Sequence, residues 1–415
     1  MMNRITATYY IETALDPHQA AAVLAGEQSS GTFVAVPGET ESLKHQFAAR
    51  VEEVKALDDV DLPSLPVTQM TKGPYHRAMV RVSWSLDNFG NNLPELISTV
   101  QGNLYELRQF TGLRLMDLEF PDAFVSHFRG PAHGIDGCRK LTGVYDRPLM
   151  GTIIKPSVGL TPDQTADLVT QLATAGIDFI KDDELLSSSS NSSFEMRLQK
   201  VMEVINRHFH QTGKKIMYAA NISGEMDEMM SRYEMIVKLG GSCAMVNVNS
   251  IGIAATKKIC DSGELAIHAH RNGWGMFTRH PLLGMDFRAY QKIWRLVGVD
   301  QIHVNGIQNK FWESDDSVVS SIGALMQPLG KQLDPLPVVS SGQWGGQAFE
   351  TWRRTETTDL LYMAGGGILA HPMGPQAGVK ALKQAWDAAV EGLTMEEAIA
   401  EFPEFAASAQ KFSKQ

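Results

Sequence analysis

From Leu149 onward the chain repeats one pattern: a short continuous apolar run, a turn, then a stretch with helical spacing of apolar positions. The runs are LMGTIIKP (149–156), IDFIKDDE (177–184), KKIMYAANIS (214–223), CAMVNVNS (243–250), LAIHAHR (265–271), QIHVNG (301–306), LPVVSSG (336–342) and LLYMAGGG (360–367). Such runs do not alternate apolar with polar positions. They predict strands buried on both faces, as in a parallel sheet covered by helices. Eight βα units in succession predict a closed (β/α)8 barrel, because an open doubly wound sheet seldom needs so many. Thr161-Pro162-Asp163-Gln164 predicts a helix start with Thr161 as N-cap and Gln164 reaching back, and Gly176 suits a left-handed stop. Thr394 and Glu397 predict a C-terminal helix in the same way.

The first part of the chain lacks this period. ITATYYIET (5–13) and HRAMVRVSWSL (76–86) read as strands rich in β-branched and aromatic residues. DPHQAAAVLAGEQ (16–28) reads as a helix capped by Asp16 with Pro17 at its first position, and LPELISTVQGNLYEL (93–107) reads as another. The expected organisation is an N-terminal α+β domain over 1–125 and a barrel with C-terminal helices over 126–415. SSSSNSS (187–193) reads by composition as a flexible loop, although it follows a strand end.

Composition narrows the function class. The net charge of −10 on 415 residues argues against nonspecific binding to nucleic acid or anionic membranes, while leaving room for a local cationic cleft. No apolar run is long enough to span a bilayer, and MMNRITATYY has no apolar signal core, so a cytoplasmic protein is expected. Cys138, Cys243 and Cys260 have no CxxC spacing and read as reduced structural cysteines.

In a barrel, chemistry sits where the strands end on the C-terminal face. Here those ends carry Lys155, Lys181-Asp182-Asp183-Glu184, His268-Ala269-His270-Arg271, His303-Val304-Asn305, Ser340-Ser341-Gly342 and Gly365-Gly366-Gly367. Alternation along a strand turns Lys181 and Asp183 to one side and Asp182 to the other, and a turn can swing Glu184 inward. Two carboxylates beside a lysine read either as an ion pair or as a site for a hard cation such as Mg²⁺. Charged lysine cannot ligate, but a lysine whose neutral amine captures CO2 becomes a carbamate with two oxygens. Arg271 offers a fork for phosphate or carboxylate, and the glycine triplet lets backbone N–H groups approach a phosphate. Lys155 and Lys310 add further cations. The HxH pair His268 and His270, with His303, also suits a zinc or iron hydrolase, but the carboxylate pair favours a harder ion.

These residues in this order resemble the RuBisCO superfamily. The barrel motifs are GTIIKPSVGL (151–160), GIDFIKDDE (176–184), HAHR (268–271), QIHVNG (301–306) with Lys310 downstream, SSG (340–342) and GGGILAHPMG (365–374). The N-terminal motifs are EQSSGTF (27–33), QGN (101–103) and FPDAFVSHFRGPAHGI (120–135). The resemblance implies a ferredoxin-like N-terminal domain and a homodimer, or an assembly built from it, with shared active sites. It implies Mg²⁺ on a carbamylated Lys181 with Asp183 and Glu184, and Lys155 as acid/base beside an enediolate. His270 and His303 would contact substrate hydroxyls and a phosphate, Arg271 the distal anion, and Lys310 a carboxylate from a mobile loop. Ser340, Gly342, Gly365 and Gly366 would hold hydroxyl and phosphate, while Glu27, Thr32 and Asn103 would reach in from a partner subunit.

The departures redirect the expected reaction. The carboxylase has KPK on its first strand, whereas this chain has Lys155-Pro156-Ser157. Ile153 stands for a threonine, Phe33 for a tryptophan, and Val304-Asn305-Gly306 for SGT. The chain therefore looks like a RuBisCO-like protein (form IV) of carbohydrate metabolism rather than a CO2-fixing enzyme. The enolase of methionine salvage lacks counterparts of Lys155 and Arg271, and the sugar-phosphate isomerase often keeps the second lysine lost here. A phosphorylated β-keto sugar acid suits what remains. The expected activity is decarboxylation of 3-oxo-isoapionate 4-phosphate, with a transcarboxylase/hydrolase on the same substrate as the alternative. A noncatalytic relic is disfavoured by the intact KDDE, Lys155, His270 and Lys310.

Overall fold

The structure is a computed structural model and describes residues 4–30, 37–67 and 73–413. In chain order the strands are β1 (Arg4–Thr13), β2 (Arg50–Ala56), β3 (His76–Ser85), β4 (Phe110–Glu119), β5 (Leu149–Ile153), β6 (Phe179–Lys181), β7 (Met217–Asn221), β8 (Cys243–Asn247), β9 (Ala266–His270), β10 (Leu283–Met285), β11 (Gln301–His303), β12 (Leu336–Val339) and β13 (Leu361–Met363). The chain forms two compact units. One comprises residues 1–129, 273–296 and 329–331, and the other 130–272, 297–328 and 332–415.

The first unit is a mixed sheet in the order β10-β4-β1-β3-β2. Its β1–helix–β2–β3–helix–β4 sequence with order β4-β1-β3-β2, all antiparallel, is the ferredoxin-like arrangement. Alternation explains it: Ile5, Ala7, Tyr9 and Ile11 of β1 and Ala78, Val80, Val82 and Trp84 of β3 are buried while their neighbours are less so, apart from the hydrogen-bonded Glu12 and Ser83. Helices Pro17–Glu27 and Leu93–Val100 supply Leu24, Leu96 and Val100 to the buried set. Asp16 caps the first through His18 and Gln19 N–H groups, as its sequence predicts. The predicted helix over 93–107 stops at Val100, because Gly102 turns into the left-handed region (φ 35°) and a separate 3₁₀ turn, Leu104–Glu106, follows. β10, from the segment after the fifth barrel strand, joins this sheet parallel to β4.

The second unit is a closed parallel barrel in the order β11-β12-β13-β5-β6-β7-β8-β9. All eight predicted runs form its strands, each shorter than the apolar run because the final residues leave the strand for loop or helix. Phe179, Met217, Met245, Val338, Leu361 and Met363 belong to one buried apolar cluster. The cluster also takes in Cys138, from helix Gly134–Thr142, and Cys243. Burial pushes both of these thiols well above the ordinary value, which makes them packing groups rather than nucleophiles. Asp300 ties that helix to the barrel, accepting from the N–H groups of His133 (2.6 Å), Gly134 (3.0 Å) and Ile267 (2.8 Å). Both predicted capping boxes, at Thr161/Gln164 and Thr394/Glu397, are present.

The serine-rich stretch is a loop with residues 188–191 exposed, but its two ends are anchored. Ser187 Oγ donates to the Ser223 carbonyl at 2.6 Å, Ser192 is buried, and Arg197 donates to the Ser187 and Ser192 carbonyls. Small hydroxyl side chains here satisfy backbone groups under a buried arginine.

Gly151 opens the first barrel strand for a steric reason. A Cβ there would lie 2.3 Å from Met363 Sδ and 3.1 Å from ring or methyl carbons of Phe179 and Leu361. Gly151→Ala should overpack the barrel interior and cost about 1–3 kcal/mol. Urea unfolding measures this, and an unchanged midpoint would contradict the packing described.

Candidate active site

The C-terminal strand ends of the barrel bring the charged side chains together. At the end of β6, Asp182 points outward and is fully buried. Its Oδ2 accepts from Arg197 Nη2 (3.0 Å) and the Asn221 N–H (3.0 Å), and its Oδ1 from the Tyr218 hydroxyl (2.5 Å). With three donors holding Asp182 on that side, the strand is fixed against rolling, and Lys181 and Asp183 face the barrel interior. Lys181 is 1% exposed, with Nζ 3.8 Å from Glu184 Oε2 and donating to the Asp182 carbonyl at 2.8 Å. Burial pushes its amine below the ordinary lysine range, against the opposing pull of Glu184, Asp183 and Asp182. That raises the share of the neutral amine, the form nucleophilic toward CO2.

Asp183 answers a second lysine. Lys155, just beyond β5, donates from Nζ to Asp183 Oδ2 at 2.5 Å and to Ser157 Oγ at 2.8 Å. Burial would raise the Asp183 pKa, but the bonds from Lys155 and the Leu185 N–H outweigh it and hold the carboxyl below its usual range. Two asparagines that the sequence reading passed over steady this turn. Asn247 Nδ2 donates to the Glu184 carbonyl at 2.9 Å, and Asn221 Nδ2 lies 3.4 Å from the Asp183 and Glu184 carbonyls. Their only sequence signal is position, since each ends a barrel strand.

Among the described residues no three His, Cys, Asp or Glu side chains form a metal cluster. The KDDE end offers two carboxylates and one depressed amine, so a hard cation here needs one more oxygen donor. A carbamate on Lys181 would complete that set, and the donor chemistry then fits Mg²⁺.

The histidines form a neutral relay. His268 Nε2 lies 2.9 Å from His303 Nε2, His268 Nδ1 is 2.8 Å from Gln301 Oε1, and His303 Nδ1 is 2.9 Å from Ser340 Oγ. Gln301 Nε2 faces Met217 Sδ (3.1 Å) and Cys138 Sγ (3.3 Å), which leaves its oxygen for His268. With neutral rings this network assigns the proton of His268 to Nδ1, that of His303 to Nε2, and makes Ser340 the donor to His303. Both nitrogens of His268 are thus engaged, and it offers no atom to a transition metal. His270 stands beside them, its ring 4.7 Å from that of His303 and its Nε2 3.5 Å from Glu184 Oε2. Its Nδ1 is buried with no hydrogen-bond partner among the described residues.

Burial, with the nearby Lys181 charge, holds His268 down at about 3. Burial likewise holds His270 and His303 well below the ordinary histidine range, with charged neighbours adding to it.

The remaining predicted residues divide by unit. Ser340 follows β12 on the His303 relay, and Gly342 (φ 83°) lets the Lys310 loop approach, with the Lys310 N–H donating to the Ser341 carbonyl at 3.1 Å. Lys310 Nζ is exposed and sits 5.2 Å from the Phe311 ring centre. Arg271 is buried and paired with Glu313. Gly365 and Gly366 follow β13, and a Cβ on Gly366 would touch nothing within 4 Å, whereas one on Gly367 would strike the Gln343 carbonyl at 2.6 Å. Packing explains Gly367, while Gly366 borders open space.

In the other unit, Glu27 and Asn103 are both exposed. Gln28 joins their segments: with its amide oriented to satisfy both ends, it accepts from the Asn103 N–H at 3.1 Å. Thr32 and Phe33 lie outside the described residues. No helix among the described residues is long and apolar enough to cross a membrane.

Comparison with known proteins agrees with this geometry. Residues 134–412 match the family model of the ribulose bisphosphate carboxylase large chain, catalytic domain, and residues 2–124 match that of its N-terminal domain. The chain is 47% identical over 412 residues to a Rhizobium rhizogenes protein named 3-oxo-isoapionate-4-phosphate decarboxylase, covering 99% of this chain and 98% of the relative. It is 48% identical over 399 residues to a Xanthobacter autotrophicus protein named 3-oxo-isoapionate-4-phosphate transcarboxylase/hydrolase, covering 96% of each. The crystal structure of a rubisco-like protein from Burkholderia fungorum superimposes with a TM-score of 0.93 at 42% identity, covering 99% of this chain and 100% of that one.

The neutral relay has a consequence for stability. Unfolding frees His268 to protonate near its ordinary value of 6.5, while the folded protein holds it at about 3. Its contribution is complete above pH 6.5 and is lost as pH falls from there toward 3, at about 1.4 kcal/mol per pH unit. The melting temperature should therefore drop between pH 7.5 and 5, and drop less steeply in His268→Gln. Equal slopes for the two proteins would refute the buried neutral assignment.

Proposed function

The chain belongs to the ribulose bisphosphate carboxylase large-chain family, and from that premise we propose that it decarboxylates a phosphorylated β-keto sugar acid, 3-oxo-isoapionate 4-phosphate. The observation that carries this reading is the placement of Lys155. Its ammonium donates to Asp183 at the same strand ends where Lys181 and Glu184 converge. Lys181 as a carbamate, Asp183 and Glu184 would hold Mg²⁺, which when bound supplies Lewis-acid stabilisation of negative charge on the substrate oxygens.

The chain's own residues do the rest. Breaking the C–C bond to the carboxylate releases CO2 and leaves the electron pair on the substrate as an enediolate. Lys155 then delivers a proton from Nζ to the carbanionic carbon and recovers one from water. No initial deprotonation is required, so a chain with Ser157 in place of a second strand-one lysine retains what the reaction needs. His270 presents its unpaired Nδ1 to a substrate hydroxyl, and the backbone at Gly365 and Gly366 receives the phosphate. Neutral imidazoles suit this work because they position hydroxyls without protonating the enediolate prematurely.

Glu27, Thr32 and Asn103 complete the site of a second copy in a homodimer. The exposure of Glu27 and Asn103 and their linkage through Gln28 support that role.

A transcarboxylase/hydrolase is the second reading, and Lys310 favours it. That cation, on a loop held to Ser341, is suited to retain the released carboxylate for transfer.

Incubating the protein with 3-oxo-isoapionate 4-phosphate, Mg²⁺ and bicarbonate decides between them. One CO2 released per substrate is the expected result. Glycolate with phosphoglycerate would establish the hydrolase instead. Lys181→Ala should lower either activity by about a thousandfold or more, and turnover near that of the unmodified protein would remove the carbamate from the mechanism.

A further inference from the structure

Arg271, at the end of β9, is 5% exposed and donates from Nη2 to Glu313 Oε2 at 3.2 Å. Glu313 comes from the loop after β11, only three residues beyond Lys310, and is itself buried. The pair is built in rather than incidental. Glu313 Oε2 also accepts from Asn305 Nδ2 at 2.5 Å, and its Oε1 accepts from Ser317 Oγ at 2.8 Å. Asn305 adopts a left-handed backbone (φ 64°), and its Oδ1 accepts from Ser341 Oγ at 2.7 Å, beside Ser340 on the His303 relay. Hydrogen bonds thus run from Arg271 through Glu313 and Asn305 to the serines that follow β12.

This pole therefore carries one buried cation already met by one buried carboxylate. A phosphate arriving at Arg271 would bring two negative charges against Glu313 in a poorly solvated place, where like charges repel strongly. An uncharged hydroxyl meets no such opposition. We propose that Glu313 is a specificity-determining residue: it occupies Arg271 and closes this pole to a second phosphate, so that the substrate class is sugar acids with a single phosphate at the Gly365–Gly366 end. The inference deepens the phosphorylated-substrate reading above and rests on it. It also reassigns Arg271, which the family resemblance alone would give to a distal anion.

Two polyol esters test the proposal by calorimetry on the full chain with Mg²⁺ and bicarbonate: ribitol 5-phosphate and ribitol 1,5-bisphosphate. The unmodified protein should bind them within about threefold of each other. Glu313→Gln keeps an oxygen for Asn305 and removes the charge, and should raise the bisphosphate-to-monophosphate affinity ratio about tenfold or more. A preference of about tenfold for the bisphosphate in the unmodified protein would overturn the proposal, as would an unmoved ratio in the folded variant. If the variant does not fold, the ratio in the unmodified protein still decides. Binding of neither ester would overturn the phosphorylated-substrate reading and this proposal with it. Absent CO2 release with the expected ratio would overturn the decarboxylase alone.

Discussion

The arrangement of charge at this barrel mouth depends on Asp182, which never faces the site. Its carboxylate is held on the outer side of the strand by Arg197, Tyr218 and the Asn221 N–H. Because neighbouring strand residues point in opposite directions, fixing Asp182 outward fixes Lys181 and Asp183 inward. A one-residue slip would turn Asp182 into the barrel and set Lys181 against the buried Arg197. The ion pair is strong in this setting because both partners are almost wholly buried, and removing either would leave the other uncompensated.

Inside that frame, charge is distributed unevenly on purpose of chemistry rather than of stability. One end holds Lys155, Asp183, Lys181 and Glu184 within a few hydrogen-bond lengths of one another. Beside them stand His270 and His303, which burial holds well below the ordinary histidine range, and next in the chain Arg271 is paired with Glu313. On the proposed reading, a sugar acid with one phosphate ester would be oriented by that asymmetry, its ester taking the cations and open backbone and its hydroxyls the neutral polar partners.

Much of this was legible along the chain. Continuous apolar runs revealed the barrel, because strands with helices on one face and the packed barrel interior on the other tolerate few polar residues before their ends. The KDDE run showed which carboxylates would share a face with Lys181. The β2 edge strand was not legible, because its exposed RVEEVKA sequence carries no buried face. Nor was the placement of 283–285, which follows a barrel strand in sequence and pairs instead with β4. Local pattern cannot report which sheet a three-residue strand will join.

The sequence by itself determined the eight barrel strands, the shared face of Lys181 and Asp183 opposite Asp182, several helix caps and the identity of the ionisable groups. All of these follow from periodicity or from side chains bonding within four residues of themselves. Only the tertiary structure decided what each group faces. Gln301 sets the proton of His268, Asn247 holds the Glu184 carbonyl 63 positions away, and Glu313 answers Arg271 across 42 positions. Such pairings arise because barrel closure brings the ends of distant strands to one rim, and burial there makes each polar partner obligatory.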